Sequence, residues 1–186
     1  MRGLRLELLS DTGVFSRGRL DRGTELLLRS AAVADGGELL DLGCGYGPIA
    51  ITIALVAPRA RVWAVDVNRR ALDLTARNAI AAGATNLVVA LPDDVPESVR
   101  LTSMYSNPPV RLGKEPLHEL LLQWLPRLDR QGVAYLVVQR HLGSDSLAAW
   151  LDAEGYRVSR ARSRQGYRLL EVRPALGSPH DGSRDS

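Results

Sequence analysis

The chain is poor in the residues that carry thiol, metal and membrane chemistry. Its 186 residues include one cysteine, Cys44, which excludes an intrachain disulfide and makes a reducing cytoplasm the expected location. The three histidines, His118, His141 and His180, are too scattered to give a ligand spacing, so no metal is expected. No apolar run approaches the roughly 20 residues that a bilayer span requires, and no membrane association is expected. The opening Met1-Arg2-Gly3-Leu4-Arg5 leads to Glu7 and Asp11 rather than to a signal-peptide core. Lysine is almost absent: Lys114 is the only one among 24 basic residues, so the net charge of +3 rests on arginine. Arginine forks suit phosphates and base edges, which permits a nucleic-acid partner. A GC-rich codon usage explains the arginine excess more simply, and a charge this small names no partner.

What is present is an alternation of apolar strands and helices. Glu38 to Leu42 is a short apolar run followed by Gly43-Cys44-Gly45-Tyr46-Gly47, and Ile49 to Ala57 reads as a buried helix stopped by Pro58. Arg61 to Val67 is a second strand, Arg69 to Ala82 a helix closed by Gly83, and Asn86 to Ala90 a third strand. Leu101 to Ser106 is a fourth strand and Glu115 to Leu128 an amphipathic helix interrupted at Pro126. Gly132 to Gln139 is a fifth strand, and Ser144 to Ala153 is helical. Two strands, Tyr156 to Arg160 and Tyr167 to Val172, close the chain around Gln165-Gly166. This order predicts an α/β fold with a doubly wound, mostly parallel sheet carrying one antiparallel strand near the C-terminus. Residues 1–173 are expected to form one domain, in which 1–36 is an extension with an edge strand at Leu4 to Leu9. A helix within Leu20 to Ala34 is started by Asp21 as N-cap. From Pro174 onward the composition predicts a disordered tail.

In such sheets a ligand sits at the carboxyl ends of the strands near the switch point, where the glycine turn falls. The glycines let the backbone approach a ligand where a Cβ would collide. Asp66, with Val67 at the end of the second strand, can accept both hydroxyls of an adenosine ribose. Asp41 can meet the amino group of a methionine moiety, directly or through water. Asp93, with Asp94, can accept an adenine amino group, and equally can form a solvated turn between Pro92 and Pro96. Asp41, Gly43, Cys44, Gly45, Asp66, Val67, Asp93 and Asn107 are therefore the candidate cofactor residues. Cys44 reads as a small buried turn residue rather than a nucleophile.

Ser106-Asn107-Pro108-Pro109 follows the fourth strand. A base nitrogen such as the guanine amino group is a poor nucleophile, because its lone pair is delocalised into the ring. If the side-chain oxygen of Asn107 and the carbonyl of Pro108 accept its hydrogens, the nitrogen can pyramidalise toward an incoming methyl group. Pro108 and Pro109 fix the backbone that aims these acceptors, so no tuned pKa is required.

With these motifs the chain resembles the methyltransferase small domain (MTS) family of class I methyltransferases. Within it, the resemblance points to the ribosomal RNA guanine-N2 methyltransferases of the small subunit. It rests on Gly13-Val14-Phe15-Ser16, Leu20-Asp21-Arg22-Gly23-Thr24, the run from Leu40 to Ile49, Asp66-Val67-Asn68, Ser106-Asn107-Pro108-Pro109 and Gly113-Lys114. The resemblance implies that S-adenosylmethionine is held by Asp41, Gly43, Gly45 and Asp66. Asn107 and Pro108 then orient the amine, with RNA as the partner. Phe15, Val110 and Lys114 are candidate substrate contacts. The sequence departs from the family in two places: Val110 stands where a stacking residue is usual, and Thr102 where many relatives have Asp. Larger relatives carry a further N-terminal domain thought to grip RNA, a task that falls here to this domain or to a partner. Two alternatives remain open. Glutamine-N5 methyltransferases of release factors present the same Asn-Pro-Pro and a similar Arg22-Gly23-Thr24-Glu25 stretch, and a non-catalytic RNA assembly factor would retain cofactor binding alone. Arg157, Arg160, Arg162, Arg164 and Arg168 can contact phosphates, but read slightly better as a charged face that protects two edge strands.

Overall fold

The structure is a computed structural model that describes residues 6–10, 20–108 and 113–175. Phe15, Pro109 and Val110, the Gly13 to Ser16 motif and the tail beyond residue 175 lie outside the described residues. Seven strands form one sheet: β1 (Gly37–Leu42), β2 (Ala60–Val65), β3 (Leu87–Ala90), β4 (Leu101–Ser106), β5 (Leu128–Gln139), β6 (Arg157–Arg164) and β7 (Tyr167–Arg173). Their order is β3-β2-β1-β4-β5-β7-β6. β1 to β5 are parallel, and β7 runs antiparallel to both β5 and β6. This is the doubly wound, mostly parallel sheet with one antiparallel strand that the element order predicts.

Among the described residues five α-helices cover the two faces: α1 (Arg22–Ser30), α2 (Pro48–Val56), α3 (Arg69–Ala82), α4 (Lys114–Trp124) and α5 (Ser144–Ala153). The central strands are buried on both faces, so neighbouring residues split between two cores. Leu39 and Tyr105 face Leu26, Leu27, Ile51 and Ile53 of α1 and α2, with α3 on the same side. Leu40 and Met104 face Leu121, Trp124, Leu147 and Leu151 of α4 and α5. β1 and β4 are neighbours whose following crossovers leave in opposite directions, which puts the switch point at their carboxyl ends.

Besides end shifts of one or two residues, as in β2, which ends at Val65 rather than Val67, and the extension of β6 past the expected Arg160 to Arg164, three expectations are corrected. The expected edge strand at Leu4 to Leu9 is absent from residues 6–10, which have no regular structure. The amide of Leu9 donates to Asn78 Oδ1 at 2.8 Å and its carbonyl accepts from Asn78 Nδ2 at 2.9 Å, so one side-chain amide does the work of a neighbouring strand. The helix expected to reach Leu128 ends at Trp124, and Pro126 sits in a single 3-10 turn over Leu125–Arg127. β5 therefore starts at Leu128 rather than at Gly132, because Leu128 pairs with Leu101.

Candidate functional site

The glycine turn is built by backbone geometry. Gly43, Gly45 and Gly47 have φ of 77°, 59° and 89°, in the left-handed region that glycine occupies without penalty. A Cβ at Gly47 would lie 2.9 Å from Thr75, whereas nothing lies within 4 Å of the Cβ direction at Gly43 or Gly45. Those two positions line open space, as a cradle for a ligand requires. Two buried side chains of α3 brace the turn from behind: Thr75 Oγ1 donates to the Gly45 carbonyl at 2.9 Å, and Asn78 Nδ2 to the Tyr46 carbonyl at 2.9 Å. Cys44 is buried against Thr75, and burial together with the charges of Asp41 and Asp66 raises its thiol well above the ordinary range. It stays protonated, which suits a packing residue and not a nucleophile.

Two carboxylates flank the turn. Asp66 accepts from the Gly45 amide at 2.9 Å and from the Asn68 amide at 2.9 Å, one bond on each oxygen, so each retains a lone pair. Val67 beside it is 79% exposed, an apolar surface at the carboxyl end of β2 with nothing packed on it. Asp41 is fully buried; its Oδ2 accepts from the Ala50 amide of α2 at 2.9 Å, and its Oδ1 has no partner among the described residues. Burial pushes its pKa up to about 8; the Ala50 bond opposes the shift and the charge of Asp66 adds to it. A buried carboxylate oxygen without a partner is costly, and a ligand ammonium placed there would remove the cost. After β3, Asp94 Oδ2 accepts from the Leu91 amide at 3.4 Å and belongs to the turn, while Asp93 is exposed.

The carboxyl end of β4 lies beside that of β1, and Ser106 Oγ ties them together by donating to the Leu42 carbonyl at 2.7 Å. The next residue, Asn107, donates from Nδ2 to Asp21 Oδ2 at 2.7 Å and to Thr24 Oγ1 at 3.0 Å. A carboxylate can only accept, so the end of the amide that faces Asp21 must be the NH2 group. The orientation of Asn107 is thereby fixed, and its Oδ1 is left as an acceptor. Asp21 Oδ2 also caps α1 by accepting from the Gly23 and Thr24 amides at 2.8 and 3.1 Å. Tyr167 Oη reaches Asp21 Oδ1 at 3.4 Å and accepts from Gln139 Nε2 at 3.0 Å. The expected N-cap at Asp21 is present, and sequence reasoning missed that the same carboxylate orients Asn107. The signal was there in the Leu20 to Thr24 motif, read only as a helix start.

Pro108 is buried behind Asn107. Lys114 is exposed at the first position of α4, where its charge adds to the helix dipole instead of offsetting it. Thr102 lies against Gly37, at the end of β1 and β4 opposite the glycine turn, so this departure does not touch the site. His118 stacks on Trp150 at 3.6 Å on α4, and His141 is exposed after β5. Among the described residues no group of His, Cys, Asp and Glu could hold a metal, and no helix is long and apolar enough to cross a membrane.

Comparison with known proteins adds the following. The family model described as the methyltransferase small domain matches residues 5–171. An uncharacterized Bacillus subtilis protein, YbxB, is 32% identical over 168 residues, covering 88% of this chain and 84% of that protein. The ribosomal RNA small subunit methyltransferase C of Stutzerimonas stutzeri is 33% identical over 171 residues, covering 84% of this chain and 51% of the relative. The chain thus spans about half the length of that methyltransferase. Among solved structures, the T. thermophilus 16S rRNA N2 methyltransferase in complex with AdoMet and guanosine superposes with a TM-score of 0.71 at 22% identity. That match covers 87% of this chain and 45% of the other.

Proposed function

Because the chain belongs to the methyltransferase small domain family, a class of S-adenosylmethionine-dependent methyltransferases, we propose that its acceptor is the exocyclic N2 amine of a guanine in small-subunit ribosomal RNA. The observation that carries this reading is the fixed amide of Asn107, with its NH2 group committed to Asp21 and Thr24 and its Oδ1 left to accept. The bound cofactor supplies an electrophilic methyl group on a sulfonium. The cradle of Gly43 and Gly45 and the lone pairs of Asp66 fit its nucleoside, exposed Val67 offers a flat apolar contact, and Asp93 is free for the adenine amino group. The unpartnered Oδ1 of Asp41 fits its ammonium.

On the acceptor side, Asn107 Oδ1 and the Pro108 carbonyl receive the two N–H groups of the amine. The nitrogen lone pair then leaves conjugation with the ring and points at the methyl carbon. A cofactor held by Gly43, Gly45, Asp66 and Asp41 would supply the methyl group there and leave as a thioether, and the excess proton on nitrogen would pass to solvent. The acceleration comes from preorganised acceptors and not from a general base. Lys114 and the N-terminus of α4 add positive potential for a phosphate near this loop. Pro109, Phe15 and Val110 complete the proposed substrate side, within a domain of residues 1–173 acting in the cytoplasm. Asn107→Ala tests the reading: methyl transfer to RNA is lost while cofactor affinity stays near the native value. Unchanged transfer would remove Asn107 from the mechanism.

A further inference from the structure

The last hairpin carries a run of arginines, and its register decides which way each one points. Residues opposite one another on antiparallel strands share a face. Arg164 lies opposite Tyr167, Arg162 opposite Leu169, and Arg160 opposite Leu170. Leu169 belongs to the core beneath α1 to α3, and Leu170 to the core beneath α4 and α5. The register shifts between Arg160 and Arg162, with Ala161 as the extra residue. Strict alternation would put Arg160, Arg162 and Arg164 together on the α5 face. The bulge sends Arg162 and Arg164 to the α1 face instead, next to Tyr167.

The two faces treat their arginines differently. On the α5 face Arg160 and Arg168 both pair with Asp145. On the α1 face Arg162 and Arg164 are exposed, and their side chains have no ion pair or hydrogen bond among the described residues; the same holds for Arg22, the first residue of α1. The acidic neighbours are already engaged: Glu25 with Arg29 at 2.9 Å, Glu171 with Arg173 at 2.8 Å, and Asp21 with the α1 amides and Asn107. Asp21 keeps its negative charge, because its partners are neutral donors, but three arginines against one carboxylate leave this face with an excess of positive charge. Protection of an edge strand is served by arginines on either face and does not account for the shift in register.

The position of the cluster relative to the site gives it a use. Arg162 and Arg164 are spaced by about 6.6 Å along the strand, and Arg164 is one strand spacing, about 4.8 Å, from Tyr167. Tyr167 reaches Asp21, and Asp21 holds Asn107. We propose that Arg22, Arg162 and Arg164 form a phosphate-gripping ridge that holds a single RNA strand alongside the site and delivers the target base to Asn107. This rests on the RNA reading above and adds where the strand runs.

The test uses the full chain and a fluorescein-labelled, guanine-containing single-stranded RNA oligonucleotide, with anisotropy measured across a salt series. The double variant Arg162→Ala/Arg164→Ala loses two phosphate contacts, which lowers the slope of log K against log salt by about 1.4 and weakens binding roughly tenfold at 0.1 M salt. In methyl transfer its KM for RNA rises while kcat and cofactor affinity hold, and Arg130→Ala, at the opposite end of β5, changes nothing. An unchanged slope and affinity in the double variant, an equal loss in Arg130→Ala, or a native chain that does not bind the RNA would each overturn the ridge. A native chain that binds RNA through the ridge and methylates none of it leaves the ridge standing and removes the methylation reading. Methylation that ignores the double variant does the reverse.

Discussion

Removing the carboxylate of Asp21 separates its two tasks, capping α1 and orienting Asn107. In Asp21→Ala the Gly23 and Thr24 amides lose their acceptor at 2.8 and 3.1 Å, a cap worth about 1 kcal/mol of stability. Asn107 loses its bond at 2.7 Å, and only Thr24 Oγ1 at 3.0 Å still holds the NH2 end of the amide. A hydrogen bond to a charged group contributes about 1.5–3 kcal/mol, and each 1.4 kcal/mol in a barrier is tenfold in rate, so kcat falls about 10- to 100-fold. Asp21 touches none of the candidate cofactor groups other than Asn107, so cofactor affinity stays near native. The discriminating variant is Asp21→Asn. Its amide oxygen can occupy the place of Oδ2 and keep all three bonds, with the Tyr167 hydroxyl accepting where it had donated. The assay is single-turnover methyl transfer at saturating cofactor, beside a thermal melt. The Asn variant is expected to recover most of the stability and rate lost in Asp21→Ala, short only of the difference between a neutral and a charged acceptor. Full kcat in Asp21→Ala, or equal loss in both variants, would refute the claim that this carboxylate orients Asn107.

Two other outcomes follow from the cofactor side. Asp41 has its pKa raised to about 8 from an ordinary 3.8, so the folded chain holds a proton that the unfolded chain releases, and the stabilising contribution is present below pH 4 and is lost as pH rises through 8. Without cofactor the melting temperature therefore falls across that window and Asp41→Asn flattens the fall, whereas cofactor affinity rises with pH as the carboxylate forms; a native pH profile in Asp41→Asn would exclude Asp41 as the titrating group. Gly45→Ala forces a Cβ onto a residue at φ 59°, which costs about 1 kcal/mol, and fills the cradle. The backbone strain is present with and without ligand and lowers stability alone, so a fall in cofactor affinity of about tenfold or more by isothermal titration reports the filled cradle, and native affinity would place the ligand elsewhere.

Local signals made much of the fold legible. α3 and α5 have the bounds read from helical spacing, because Gly83 in the left-handed conformation stops α3 and Gly143 introduces α5. β4 likewise runs from Leu101 to Ser106, a sequence closed by Asn-Pro-Pro. The misses share a cause, since each depends on a partner distant in sequence. Leu9 looks like part of a strand, but its backbone is satisfied by Asn78, 69 residues away. Leu121, Leu125 and Leu128 are all buried at helical spacing, and only the pairing of Leu128 with Leu101 shows that the last of them is already in a strand. β6 continues to Arg164 through residues that are exposed on both faces, so no hydrophobic pattern marks it and pairing with β7 alone makes it a strand. At the site, the turn, its two carboxylates and Asn107 were readable from motif spacing. The link from Asp21 to Asn107 was not, because it spans 86 residues and joins two motifs that each have a sufficient local reading.

The central claim is the acceptor atom, and it is tested most directly by transfer of labelled methyl from S-adenosylmethionine to ribosomal RNA, small-subunit particles and release factors side by side. The account predicts label in RNA or in particles that digests to N2-methylguanosine. Label confined to release factor, or to a different nucleoside, would contradict it.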